Sequence, residues 1–169
     1  MNRLGRAMLY IGSAIAFSGC VTTSGVPADV SQAIPSDARA VRIYSDQPPA
    51  TFYRGIYQAI AAAGYSIAQE NEQMGTLSTQ PKDIGQETTL RIGVFVQDTT
   101  GGSMGTLRGQ WGVTAAMAAG LSAGFGASPA GGTADEARWG GIGREKVAFG
   151  ELAVLANGIA HIRIVYLSR

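Results

Sequence analysis

The sequence predicts an α+β fold: a mostly antiparallel sheet with one main helix packed on one face, in the order β-α-β-β-β-loop-β-β. Three observations predict it. Phe52, Ile56, Ile60 and Ala63 recur at spacings of four, four and three, the apolar stripe of an amphipathic helix. Leu90, Ile92, Val94 and Val96 alternate with Arg91, Gly93, Phe95 and Gln97, which is the period-two pattern of a strand with one face in a core. Asn157-Gly158 separates two strand-like runs, residues 146–155 and 159–167, and both residues tolerate the positive φ of a type I′ hairpin turn.

A chain of 169 residues has room for one domain and little more. With 46% hydrophobic and 15% charged residues it is no disordered polyelectrolyte. A net charge of +1 leaves no basic surplus for a phosphate backbone, so no nucleic acid partner is expected. A single cysteine and a single histidine exclude an internal disulfide and most cages built from those ligands, so neither metal nor cofactor is expected.

The N-terminus reads as an address. Arg3 and Arg6 precede eleven uncharged, mostly apolar residues, 7–17, and then the small residues Ser18 and Gly19 and the lone Cys20. A basic start, a short apolar run and small residues describe a secretory signal peptide, here residues 1–19. Eleven residues at about 1.5 Å rise cover about half of a 30 Å hydrocarbon core, too little for an ordinary transmembrane helix. Phe17-Ser18-Gly19-Cys20 resembles the lipobox of bacterial lipoproteins, with Phe17 where that family prefers leucine. The resemblance implies that Cys20 is acylated and becomes the new N-terminus, anchoring the chain to a membrane. Val21, where inner-membrane retention uses aspartate, implies by the same resemblance the outer membrane, on its periplasmic side. Loss of Arg3 and Arg6 removes two of 13 basic residues and leaves a near-neutral balance against 12 acidic ones.

Residues 20–40, rich in Thr, Ser, Pro and Ala, read as a flexible tether, and residues 41–169 as a single α+β domain. Val41-Arg42-Ile43-Tyr44 is a short strand. Pro48-Pro49 stands where a first helical turn accepts proline, and Gly64 supplies the stop. Tyr53 and Tyr57 lie on the flank of the helical stripe. Tyr65, Ile67 and Gln69 begin a second strand, and 70–75 is a polar turn. Residues 76–80 return as a third strand ended by Pro81. In the last strand Ile162, Ile164 and Tyr166 share one face, with His161 and Arg163 on the other.

The helix, its Gly64-Tyr65 exit and the stretch through Gly75-Thr76-Leu77-Ser78-Thr79 are similar to the helix-grip units of the BamC family of outer-membrane lipoproteins. In that family a helix leads through a glycine and an aromatic residue into a hairpin whose return strand begins near a glycine. The resemblance spans about forty residues, a single unit, and implies a fold more than a task.

Residues 101–143 hold 13 of the 24 glycines, and no charge falls between Arg108 and Asp135. Three readings stay open for this Gly/Ala-rich insertion. It is a mobile loop; or an amphipathic helix with Val113, Met117, Leu121 and Phe125 on one face; or a membrane-inserted helix with the small-residue ridge Gly112, Ala116, Gly120, Gly124 and Ser128. The loop is favoured, because several glycines at about 1 kcal/mol each leave an isolated helix marginal. Trp111 and Trp139 bracket the segment; exposed, they suit a recognition surface or the membrane interface, and buried, they pack in the core.

No hydrolase, zinc-protease or phosphate-loop motif occurs, and His161 has no nucleophile near it in sequence, so enzymatic activity is not expected. The expected role is that of a periplasm-facing lipoprotein acting as an interaction or accessory subunit of an envelope complex, anchored through Cys20. Tyr53, Tyr57, Trp111 and Trp139 are its candidate interaction surface. The alternative is a periplasmic binding module for a lipid or glycan held between helix and sheet.

Overall fold

The structure is a computed structural model and describes residues 33–119, 134–141 and 143–168. The chain is α+β, with a mostly antiparallel open sheet of eight strands. In chain order these are β1 (Ala40–Ser45), α1 (Pro49–Ala62), β2 (Ile67–Asn71), β3 (Thr76–Thr79), β4 (Lys82–Asp83), β5 (Thr88–Thr99), β6 (Gly102–Val113), β7 (Asp135–Glu136), α2 (Arg144–Gly158) and β8 (Arg163–Leu167). The sheet runs β2-β3-β5-β6-β1-β8, with β4 added to β5 and β7 to β6.

The helix read from the stripe begins at Pro49, and it buries Phe52, Tyr53, Ile56 and Ile60 against the sheet. Burying side chains of this size stabilises by about 1.5–3 kcal/mol each, which outweighs the modest helix propensity of the segment. Gly64 ends it at φ +80°, and Tyr65 leads into the β2–β3 hairpin. β5 keeps the expected alternation, with Leu90, Ile92, Val94 and Val96 all buried.

Three expectations need correction. The Gly/Ala-rich insertion does not begin at 101. Residues Gly102–Val113 form β6, paired along its length with β5 from Thr88↔Val113 to Thr99↔Gly102, and the turn between them is the two residues Thr100-Gly101. Its inward positions Gly105 and Gly109 are glycine because α1 lies directly on the first and Leu90 and Ala137 crowd the second. A Cβ at 105 would stand 3.0 Å from Ile56 Cδ1, and one at 109 would stand 3.1 Å from the Ala137 methyl and 3.6 Å from Leu152 Cδ2. Val113 ends this strand, and Met117 lies in a helical turn at 115–119. Leu121, Phe125 and the ridge positions Gly120, Gly124 and Ser128 lie outside the described residues.

The second correction is the run 146–155, read as a strand, which belongs to α2. Ala148, Phe149, Leu152, Ala153, Leu155 and Ala156 are buried on it, so apolar residues occupy most of its circumference and no clean helical stripe is visible. Its small residues let it approach the glycine-bearing strand closely. Asn157-Gly158 closes this helix instead of turning a hairpin: Asn157 Nδ2 donates to Ala153 O at 2.8 Å and to Tyr166 Oη at 3.2 Å. The final strand starts at Arg163, which leaves His161 in the connection before it.

The third concerns the tether. Ile34 and Ala38 are buried in the core, and Arg39 N–H donates to Leu167 O at 2.7 Å, so the packed domain begins before residue 41. Both helices cover the same face of the sheet and share one core with Val41, Ile43 and Leu107. The opposite face carries no helix among the described residues, and β2 and β8 are the two edges.

Candidate functional site

The tyrosines on the flank of α1 line a cleft. Spacing of four puts Tyr53 and Tyr57 on one side of the helix, one turn apart, while Phe52 and Ile56 point into the core. The β2–β3 hairpin folds back beside them. Glu70 pairs with Leu77, whose side chain is in the core, so Glu70 points to the helix side of the sheet. Tyr53, Arg54, Tyr57, Gln58, Glu70 and Glu72 enclose a cavity of about 420 Å³.

Tyr53 is 4% exposed and its hydroxyl donates to Thr76 O at 3.1 Å, which ties the helix to β3. Its phenol is pushed above the usual range, first by burial and then by the negative charges of Glu70 and Glu72. Tyr57 is half-buried with its ring against the core margin. Arg54 pairs with Glu72 at 3.0 Å in the open, a surface contact of little energetic weight. The cleft is therefore aromatic and, through Glu70, acidic. β2 forms its rim. Among the described residues this strand pairs only with β3, and its register slips by one between Ile67 and Gln69. Its outer edge therefore offers unpaired backbone groups.

The tryptophans do not act as a pair. Trp139 is half-buried and tilted against Phe149 with ring centroids 6.3 Å apart, while Lys146 Nζ lies 4.9 Å from its ring centre; it packs α2 to the segment 134–141. Trp111 lines a different cavity, of about 460 Å³, with Gln86, Gly143, Arg144 and Glu145. Its indole Nε1 is buried and has no hydrogen-bond partner among the described residues. Arg144 there pairs with Glu87 at 3.1 Å and reaches Met117 Sδ at 2.9 Å. Gln86 and Glu87 both hold positive φ, a conformation uncommon for residues with a Cβ. Sequence reasoning missed Glu70 and Glu72 as members of the tyrosine cleft. Their signal was their place on a hairpin returning beside the helix, which pattern alone does not orient.

Cys20 lies outside the described residues. His161 is exposed, with Nδ1 2.6 Å from Ile159 O in its own connection, and faces no nucleophile. Among the described residues there is no group of three or more His, Cys, Asp or Glu side chains arranged for a metal ion, and no helix long and apolar enough to cross a membrane. No protein-family model matches the chain, and its sequence matches no curated protein.

Proposed function

We propose that this chain is a non-enzymatic, periplasm-facing lipoprotein, anchored in the outer membrane through Cys20, that serves as an accessory subunit of an envelope complex. One observation carries the docking part of this reading. The edge strand β2 runs along the aromatic and acidic cleft of Tyr53, Tyr57, Glu70 and Glu72. An extended segment of a partner adding to β2 gains backbone hydrogen bonds from the edge and sets alternate side chains into that cleft. Aromatic walls and Glu70, which makes no ion pair among the described residues, favour a segment with a basic or amphipathic side chain there.

The test is a proximity crosslink in the native host. The full-length chain carries a tag at Arg169, and captured proteins are read by mass spectrometry for the parent, Cys20→Ala, Tyr57→Ala and Glu70→Lys. The expected result is one dominant envelope protein, weakened in Cys20→Ala and lost in Glu70→Lys. Equal capture by Glu70→Lys and parent would remove the cleft from the reading, and no protein above background would sink the subunit role altogether.

A second reading, a binding module for a lipid or glycan, draws on the cavity of about 460 Å³ that Trp111 lines with Gln86, Gly143, Arg144 and Glu145. An aromatic wall with a few polar groups around it is the ordinary lining of a small-molecule site. A small molecule released from the purified parent and absent from Trp111→Phe would support that reading over the first.

A further inference from the structure

The face of the sheet that bears no helix is cationic in an ordered way. Register puts Arg91, Arg108, Arg42 and Arg163 on this face, on the neighbouring strands β5, β6, β1 and β8. Arg91 lies opposite Gln110, two residues from Arg108. Arg108 lies opposite Ala40, two residues from Arg42, and Arg42 lies opposite Val165, two residues from Arg163. Each step is one strand across and two residues along, so the four form a straight diagonal, with neighbours roughly 7–8 Å apart by ordinary sheet geometry.

On these four strands the same face holds no carboxylate, but the short strands added to them bring two: Asp83 on β4, opposite Thr89 and two residues from Arg91, and Glu136 on β7, opposite Gln110 and two residues from Arg108. Glu136 on β7 reaches Arg108 at 3.1 Å, but it also lies 3.5 Å from Arg39. Arg42, Arg91 and Arg163 make no ion pair among the described residues; Arg42 is half-buried, with its Nε buried and without a hydrogen-bond partner among them. Arg163 stacks over Tyr44 at 4.2 Å, and Phe95 is 46% exposed on this face. The carboxylates Glu70, Glu72, Glu145 and Glu151 belong to the helix-bearing side and its rim.

We infer that this open face docks on an anionic phospholipid leaflet through the row Arg91–Arg108–Arg42–Arg163. Four arginines against the two carboxylates Asp83 and Glu136 leave this face with a cationic excess, which is complementary to a plane of phosphates, and Arg91, Arg108 and Arg163 are exposed on it. Exposed Phe95 and the Arg163–Tyr44 stack are the amphipathic groups that settle at a headgroup boundary. The near-neutral net charge of the chain argues against a general polyanion binder and for a one-sided surface. The inference stands apart from the partner reading, because vesicles without any protein test it.

The experiment uses the full chain with Cys20→Ala, so that one introduced thiol carries a fluorophore. The probe sits at Gln97→Cys on the open face or at Ala61→Cys on the exposed side of α1. Vesicles are phosphatidylcholine with or without phosphatidylglycerol and contain a headgroup nitroxide quencher. The expected result is quenching at 97 well above that at 61, dependent on phosphatidylglycerol and relieved by salt, since screening shortens the field to about 10 Å near 0.1 M. Arg91→Gln with Arg163→Gln loses most of that quenching, whereas Arg54→Gln with Arg144→Gln, an equal change of charge on the other side, keeps it. Because Arg91 Nε donates to Thr79 O at 3.0 Å, Arg163→Gln alone carries the test if the double variant unfolds. Equal quenching at 97 and 61, or equal loss in the two double variants, overturns the inference. So does a probe at 97 that vesicles leave unquenched while duplex DNA or an acidic protein shifts it.

Discussion

Gly105 lies directly beneath Phe52: a Cβ on the glycine would stand 3.1 Å from the Phe52 ring and 3.0 Å from Ile56 Cδ1. The strand has given up a side chain so that α1 can rest on the sheet, and Gly109 likewise makes room for Leu90 and Ala137. A branched side chain at 105 would lift the helix or force both residues from their rotamers. Gly105→Val is therefore expected to destabilise by about 1–3 kcal/mol. Urea unfolding of parent and variant measures this, and an unchanged midpoint would mean that the helix does not bear on the strand there.

Gly75 meets a harder limit. It holds φ +66°, and a Cβ would fall on the Val96 carbonyl oxygen, which is backbone and has little room to yield. Gly75 O also accepts from Val96 N–H at 2.7 Å, so the turn cannot swing away without losing that bond. Left-handed strain and overlap together predict a loss of about 2–4 kcal/mol for Gly75→Ala. The cleft is rimmed by this hairpin, so Gly75→Ala should also weaken partner capture, in contrast to Gly105→Val assayed below its unfolding range.

Much of this architecture is legible in the sequence where periodicity is clean. The stripe of Phe52, Ile56 and Ile60 and the alternation of Leu90 to Val96 give α1 and β5 directly, because each element has one buried and one wet face. β6 is harder to read because its inward side holds Gly105 and Gly109, whose packing value is the space they leave and not the area they bury. α2 is misread because Ala148, Phe149, Leu152 and Ala153 surround much of the helix with core, and because Asn157-Gly158 serves a helix end as readily as a hairpin. Tyr53 and Tyr57 are legible as a helix flank, but the carboxylate Glu70 that completes their cleft depends on the fold of β2 against it. The arginine row is invisible in order along the chain, since its four members come from four strands brought together by register.

Lys82 closes the C-terminal end of α1. Its Nζ donates to Ala63 O at 2.6 Å and lies 4.6 Å from the centre of the Tyr65 ring. A cation on a terminal carbonyl offsets the negative end of the helix dipole as well as satisfying an orphan acceptor. Lys82→Met, which keeps the aliphatic stem, should cost about 1–2 kcal/mol at low salt and less at high salt. A variant as stable as the parent at low salt would show that water serves that carbonyl equally well.

Tyr65 is 3% exposed, and its hydroxyl has no hydrogen-bond partner among the described residues. Burial, with a smaller push from the negative charge of Glu151, raises its phenol far above the ordinary 10.0. Tyr53 is raised in the same direction. A phenol that stays protonated in the fold but ionises in the unfolded chain makes the unfolded state bind fewer protons above pH 10. Stability is then fully present below that pH and falls as pH rises through and beyond it. For Tyr65 the slope is about 1.4 kcal/mol per pH unit while the native phenol remains protonated. Tyr65→Phe removes an unpaired buried hydroxyl, so at neutral pH it should be at least as stable as the parent, within about 1 kcal/mol. Above pH 10 it should lose stability less steeply, by one proton's worth of slope. Urea unfolding on both sides of that pH reads both effects. Parallel alkaline limbs for parent and variant would mean that the Tyr65 hydroxyl already reaches solvent in the folded protein.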